Sequence, residues 1–215
     1  MKISYAITVC NEHKEIDKLL TFLFEHKRPE DQVVVQIDKD NGTEEVINIC
    51  ERFENKSLIE YKLHEYSLNK NFAQYKNNLN TNCDGDWIFQ IDADEIPNEY
   101  LIEALPFILE ANEDTEAFWV PRVNTVAGIT DEHIQKWGWK LNADGWVNFP
   151  DWQWTVVKAI PIPKNEQEKY PDPTNPGTFY KYKMDMKNLK RYDKLCFMDA
   201  AEELGMFTKQ EVNED

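Results

Sequence analysis

The residues best suited to chemistry stand in one short stretch, "GDWIFQIDADEIPNE" (85–99), where an apolar run, Trp87 to Ile91, ends in Asp92-Ala93-Asp94-Glu95. Three carboxylates within four residues repel one another, and desolvating them without a partner costs several kcal/mol. The arrangement therefore calls for positive charge beside it. Two carboxylates at i and i+2 beyond a strand end both reach a hard cation such as Mg²⁺ or Mn²⁺. Such a cation keeps some waters and completes its shell from a substrate phosphate. The same residues also read as ordinary loop acids before a helix opened by Pro97. A lone Asp-x-Asp does not choose between the two; its setting does.

The setting is a repeated one. Ile3 to Val9 is a short apolar run that closes in Asn11-Glu12, and "QVVVQI" (32–37) closes in Asp38-Lys39-Asp40. Between these strands, Ile16, Leu19, Leu20, Leu23 and Phe24 recur at helical spacing and stop before Pro29. Val46, Ile47, Cys50 and Phe53 form a second stripe over 43–53, with Thr43 suited to the N-cap. Ser57 to Leu63 reads as a third strand, Phe72 to Leu79 as a polar helix and Trp87 to Ile91 as a fourth strand. A helix opened by Pro97 follows through Leu101, Leu105 and Ile108. This alternation predicts an α/β fold with a mostly parallel sheet flanked by helices on both faces. Ligands of such sheets bind outside the carboxyl ends of the strands, at a topological switch point. Three strand ends thus direct acids and amides at one crevice. Asp38 is placed to accept hydrogen bonds from a nucleobase or ribose, although Asp40-Asn41-Gly42 also suits a plain turn. No Gly-x-Gly-x-x-Gly or Gly-x₄-Gly-Lys-[Ser/Thr] occurs, so the crevice is expected to hold phosphates through a metal instead.

Bulk properties narrow the partners. A net charge of −16 and a pI near 4.7 argue against nucleic-acid binding, which needs a basic face, and against docking to anionic lipid. Cys10, Cys50, Cys83 and Cys196 show no Cys-x-x-Cys pairing, as expected of free thiols in a reducing cytoplasm. The N-terminus lacks a signal-like apolar region, and no window approaches 18 apolar residues, so no membrane span is predicted. The expectation is a cytoplasmic protein, bacterial, or of a host cell if viral. The second half changes character, with six of the seven tryptophans between positions 117 and 157. Pro161 to Pro176 reads as an extended loop, Lys187 to Phe207 as one or two terminal helices, and 209–215 as a frayed end.

At this point the blocks resemble a known family. "ITVCNEHKEIDKLL", "QVVVQIDKDNGTEE" and "NFAQYKNNLNTNCDGDWIFQIDADE" are similar, in order, to family-2 glycosyltransferases of the GT-A fold. Within that family they resemble the lipopolysaccharide-core and surface-glycan subgroup with Phe-Ala-x-x-Arg-Asn, a seven-residue spacer, Gly-Asp-Trp and Asp-Ala-Asp-Glu. Lys76-Asn77 stands where that pattern has Arg-Asn, with the same spacer to Gly85. "FWVPRVNTVAGI" and "GWVNFPDWQWTVVK" are more loosely similar to the subgroup's acceptor-side segments. Thr155 replaces an arginine of that pattern, and a later His-Glu motif is missing.

The resemblance implies a GT-A-like sheet with a small Trp-rich acceptor lobe, as one continuous domain. Residues 1–112 would form the nucleotide-sugar half, and 113–215 the acceptor half with C-terminal helices. It implies inverting transfer from a nucleotide diphosphate sugar, UDP-sugar favoured, to a glycan or other hydroxyl acceptor. Thr8, Cys10, Asn11, Glu12, Asp38, Asp40, Lys76, Asn77 and Asp92 would bind the nucleotide, while Asp92 and Asp94 would hold Mn²⁺ or Mg²⁺. Asp151 is the expected base, with Asp144, Asp131 and Glu132 as alternatives. Arg122, Trp146 and Trp152 are expected on the acceptor side, although buried core is the other reading of the indoles. His133 lies in the same segment and is open to substrate contact; His13, His26 and His64 read as surface residues. A nucleotidyltransferase, or a carbohydrate-binding protein without turnover, are the competing readings.

Overall fold

The computed structural model describes residues 1–56, 60–161, 165, 182–183 and 192–194. The first half runs β1 (Ile3–Val9), α1 (His13–His26), β2 (Gln32–Asp38), α2 (Glu44–Lys56), β3 (Tyr61–Tyr66), α3 (Phe72–Thr81), β4 (Trp87–Asp92) and α4 (Glu99–Ala111). The second half adds β5 (Ala117–Asn124), α5 (Asp131–Trp137), β6 (Val147–Lys158), β7 (Ile160–Pro161), β8 (Tyr182–Lys183) and β9 (Tyr192–Lys194). Seven strands form one sheet in the order β3-β2-β1-β4-β6-β5-β9, and β7 pairs with β8 separately. The β1–β2, β1–β4, β2–β3 and β5–β9 pairs are parallel, whereas β4–β6 and β5–β6 are antiparallel. The α/β, GT-A-like expectation is thereby met.

β1, β2 and β4 are largely apolar and buried because both sheet faces are covered there, as parallel sheets require, whereas β3 (YKLHEY) at the end of the strand order is only half-buried. Period-2 alternation sends Tyr5, Ile7, Val33, Val35, Phe89 and Ile91 to one face, against Ile16, Leu19 and Leu23 of α1 and Leu101 and Leu105 of α4. Ala6, Val34 and Ile88 meet Leu79 of α3 on the other face. The small Ala6 and Val34 let α3 lie close to the sheet.

Four boundaries differ from expectation. Thr43 precedes α2, but its hydroxyl is buried without a hydrogen-bond partner among the described residues, so it does not act as a side-chain cap. The third strand is Tyr61–Tyr66, set by parallel pairing with β2 from Val33↔Tyr61 to Asp38↔Tyr66, while positions 57–59 lie outside the described residues. α4 starts at Glu99 rather than Pro97, because Asn98 caps it by accepting a bond from the Tyr100 amide. Tyr192–Lys194, inside the segment expected to be helical, is instead a strand paired with Ala117–Trp119 of β5. The rest of that segment, most of the proline-rich loop and the end expected to fray lie outside the described residues. No helix among the described residues is long and apolar enough to cross a membrane.

Candidate active site

From β1 the chain builds outward through β2 and β3, then returns to place β4 on β1's other side. The switch point of the sheet is therefore the seam between β1 and β4. Their register partners at the carboxyl edge are Thr8 and Asp92. The Thr8 hydroxyl donates to Asp92 Oδ1 at 2.8 Å and accepts from Lys76 Nζ at 3.0 Å, while Lys76 forms an ion pair with the same carboxylate oxygen. Burial raises the Asp92 pKa, but Lys76, the Thr8 hydrogen bond and Arg122 outweigh it and hold the group below the usual carboxylate range.

Lys76 reaches this seam because α3 is fixed from below. Asn71 caps the helix by accepting from the Gln74 amide at 3.2 Å. The buried Tyr75 hydroxyl donates to the Gln36 carbonyl at 3.1 Å, and Gln36 Nε2 donates back to the Tyr75 carbonyl at 2.8 Å. With Tyr75 and Leu79 buried toward the sheet, the next residue projects toward the strand ends. Asn77, expected beside it, is exposed.

The acid cluster thus has its positive partners in the protein itself. Glu95 accepts from the Asp92 amide at 3.1 Å and from Arg122 at 2.9 Å. Arg122 continues to Asp151, its register partner across β5–β6, with Nε and a terminal nitrogen at 3.0 and 2.7 Å from Oδ2. Asn124 also donates to Oδ2 at 3.0 Å, and Gln153 donates to Oδ1 at 2.8 Å. The Asn124 hydrogen bond leads in lowering the Asp151 pKa; burial opposes it, and Arg122 and Gln153 add to the lowering. Lys76–Asp92 and Glu95–Arg122–Asp151, joined through the Asp92 amide, consequently form a row of paired charges from the switch point to the β5–β6 hairpin.

Asp94 is the exception. It is exposed and has no hydrogen bond or ion pair among the described residues. No three His, Cys, Asp or Glu side chains converge as metal ligands among them either. This donor set fits Mg²⁺ or Mn²⁺ bound largely by a diphosphate, which needs only one or two protein carboxylates. It does not fit a cation caged by protein alone.

The other predicted nucleotide residues divide between turn-building and open positions. Asp38 is buried; Asn41 Nδ2 donates to it at 2.8 Å and the Asp40 and Leu68 amides at 3.2 and 3.4 Å. Burial raises its pKa, and these three donors reverse the effect to a net lowering. Glu12 accepts from the Cys10 and Asn11 amides at 2.8 and 3.0 Å, closing the turn after β1. Asp40 and Asn11 are exposed at the same edge, and Cys10 is half-buried there. Trp146 and Trp152 are half-buried on the hairpin side. Asp131 and Glu132 lie exposed in the first turn of α5, and Asp144 in the turn before β6. His133 caps its own helix, and His64, expected at the surface, has a buried Nε2 without a partner among the described residues. Sequence reasoning did not single out Asn124 or Gln153, and it read Glu95 only as one of three clustered carboxylates, not as the partner of Arg122. Gln153 was within its reach, since i+2 on a strand shares a face with Asp151.

A doubly covered sheet of this order, with charged groups meeting at its β1–β4 switch point, defines a domain of the GT-A glycosyltransferase class. The family model for glycosyl transferase family 2 matches residues 4–189, and the chain belongs to that family. No curated protein matches the chain. Among solved structures, S. aureus TarS 1-349 is 22% identical with a TM-score of 0.51, covering 60% of this chain and 38% of that one. A longer S. aureus TarS chain is 21% identical with a TM-score of 0.51, covering 60% and 23%. A mannosyltransferase, PcManGT from Pyrobaculum calidifontis in complex with GDP-Man and Mn²⁺, is 14% identical with a TM-score of 0.47, covering 80% and 48%. The chain therefore spans less than half the length of each of these proteins.

Proposed function

We propose that the chain moves a sugar, with inversion, from a nucleotide diphosphate donor, UDP-sugar favoured, to an acceptor hydroxyl, with the help of Mn²⁺ or Mg²⁺. The subgroup proposed is the surface-glycan one with the Asp-Ala-Asp-Glu motif. The observation that carries the reading is the placement of Thr8, Lys76 and Asp92 at the switch point, with exposed Asp94 two residues on. The charge row then links this crevice to the hairpin.

Asp94, with Asp92, would hold the cation against the diphosphate. A divalent cation bound there supplies Lewis-acid stabilisation of the charge that develops on the leaving diphosphate. Lys76, fixed by α3, contributes a second positive centre at the same place. The Asp38, Glu12 and Asn11 turns shape the wall on which the base and ribose rest. Arg122 holds Glu95 and Asp151 at a set spacing, so that acceptor and donor sides keep a common register.

Asp151 takes the role of base. Its lowered pKa keeps it ionised at neutral pH and ready to accept a proton, at some cost in driving force. Oδ2 carries Arg122 and Asn124 whereas Oδ1 carries Gln153 alone, so Oδ1 is the oxygen with lone-pair capacity left to accept the acceptor's hydroxyl proton as that hydroxyl attacks the anomeric carbon.

Calorimetric titration of UDP with and without Mn²⁺, on the protein and on Asp94→Ala, tests the proposal. Metal-dependent binding lost in the variant supports it. Absence of nucleoside diphosphate binding under any divalent metal refutes it and leaves a carbohydrate-binding protein without turnover.

A further inference from the structure

Between β5 and β6, residues 125–146 form an excursion that the donor crevice does not use. Among the described residues, the bonds of its helix α5 are local ones. The Thr130 hydroxyl accepts from the His133 amide, the His133 ring accepts from the Thr130 amide, and Gly138 closes the helix at φ 64°. None of its residues is buried.

Its rings are nonetheless arrayed in order. The His133 and Trp137 rings stack at 4.9 Å with 14° between their planes, and Trp137 meets Trp139 at 4.7 Å. The Trp139 amide is tied to the Ile134 carbonyl at 3.0 Å. A short ladder follows, in which Leu141 bridges Val147 and the Asn148 amide donates to the Lys140 carbonyl at 2.7 Å. Beyond it Trp146 packs edge-on against Phe149 at 4.9 Å. Trp137 remains 51% exposed, although burying an indole is among the larger stabilising changes open to a side chain.

Position gives this surface meaning. β4 and β5 both run antiparallel to β6, so β5 ends on the same edge of the sheet as Asp92. The excursion leaves and rejoins that edge just beyond Arg122 and Asp151. A pyranose ring suits it chemically: its C–H face packs flat on an indole, and its rim of hydroxyls needs donors and acceptors alongside. Asp131, Glu132, Lys136 and Lys140 supply them, all exposed in the same segment, with Lys136 Nζ 5.9 Å from the Trp137 ring centre. A lipid chain or an apolar protein face would desolvate those groups without pairing them. Acids and lysines are nearly balanced here, which favours a neutral sugar.

We propose that the His133–Trp137–Trp139 stack is an acceptor subsite for a carbohydrate ring, so that the hydroxyl receiving the sugar belongs to a glycan. The proposal rests on the glycosyl-transfer reading and specifies its acceptor.

Saturation-transfer NMR with maltotetraose, cellotetraose, chitotetraose and mannotetraose tests it on the full chain, on Trp137→Ala and on Trp137→Phe, with UDP and Mn²⁺ calorimetry on the same samples. At least one tetrasaccharide should bind, about fivefold more weakly to Trp137→Ala, with Trp137→Phe close to the parent. UDP affinity should be equal in all three. Binding of none of the four, or equal binding by Trp137→Ala, overturns the subsite. So does a loss of self-association in Trp137→Ala, by sedimentation velocity, with sugar signals unchanged, since the stack would then be a contact between copies. Loss of UDP binding by the parent would overturn glycosyl transfer alone, because the sugar signal reads the stack independently.

Discussion

Lys76 and Asp92 make opposite electrostatic predictions for the same ligand. Removing Lys76 leaves the Asp92 carboxylate facing the crevice uncompensated, whereas removing the Asp92 charge frees the Lys76 ammonium. With a diphosphate placed ~6 Å from these groups, a unit charge is worth about 0.7 kcal/mol at the dielectric of water and about 3 kcal/mol at an effective value near 20. The two side chains are 25% and 52% exposed, so solvent screening draws the figure toward the lower end. A change of about 1–1.5 kcal/mol, roughly tenfold in Kd, is expected in each direction. In EDTA, Lys76→Ala should bind UDP about tenfold more weakly than the parent, and Asp92→Asn about tenfold more tightly, since no metal is then present to need the carboxylate. The double variant should fall between them, with a clear coupling energy. Calorimetry at two salt concentrations supplies the check, because a screened Coulomb effect shrinks as salt rises. Equal metal-free affinities in the parent and both single variants would refute the placement of this pair beside the diphosphate. The stability of either variant should change by less than ~1 kcal/mol, as for exposed ion pairs generally.

Three further outcomes follow from the same geometry. Arg122→Ala removes one of the groups that lower the Asp151 pKa, so the acidic limb of the pH–rate profile should move to higher pH, an effect that Asp151→Asn should abolish along with most of the rate. Lys27 is buried, and burial pulls its pKa down to about 8. The unfolded chain releases that proton near ~10.4, so it binds more protons between those limits, and stability should rise by roughly 2–3 kcal/mol from pH 8 to pH 10. Urea titrations should find that rise missing in Lys27→Met. Gly85→Ala places a Cβ 2.7 Å from the Ser4 amide and 2.9 Å from the Trp87 carbonyl. Backbone must then shift at the start of β4, and a loss of about 2 kcal/mol or more should appear in thermal unfolding.

The strands and helices of the first half were readable from sequence because each signal there is local. Val33 to Ile37 needs no partner to announce a doubly covered strand, and Leu19, Leu20 and Leu23 mark the buried side of α1. The meeting of Thr8 and Asp92 at the β1–β4 seam was readable too, since a switch point follows from strand order. What stayed hidden depends on pairing across the chain. β3 slid to Tyr61–Tyr66 because its register is decided by β2, and Tyr192–Lys194 is a strand only because β5 offers a free edge to it. The partners of the acid cluster were hidden for the same reason. Lys76 is 16 positions from Asp92 and Arg122 is 27 from Glu95, distances over which periodicity says nothing about contact. Sequence reasoning sought a cation for all three carboxylates, yet two of them are answered by side chains, and only Asp94 stands open.

The sheet also divides the molecule by how it could be inherited. Among the described residues the hairpin meets the first half through three register pairs low on β4, Trp87↔Lys158, Ile88↔Val157 and Phe89↔Val156, through Phe118 and Val156 in the shared core, and through the Arg122–Glu95 ion pair higher up. Between Arg122 and Asp151, the bonds of 125–146 among the described residues are short-range ones. Such a segment behaves as a cassette. Recombination could exchange 125–146 for another loop and helix without disturbing the first half, provided that Arg122 and Asp151 remain as its two sockets. On the proposed glycosyl-transfer reading, a lineage built this way would hold its donor constant while its acceptors diverge, and chimeras cut at those two positions would reproduce that history in the laboratory.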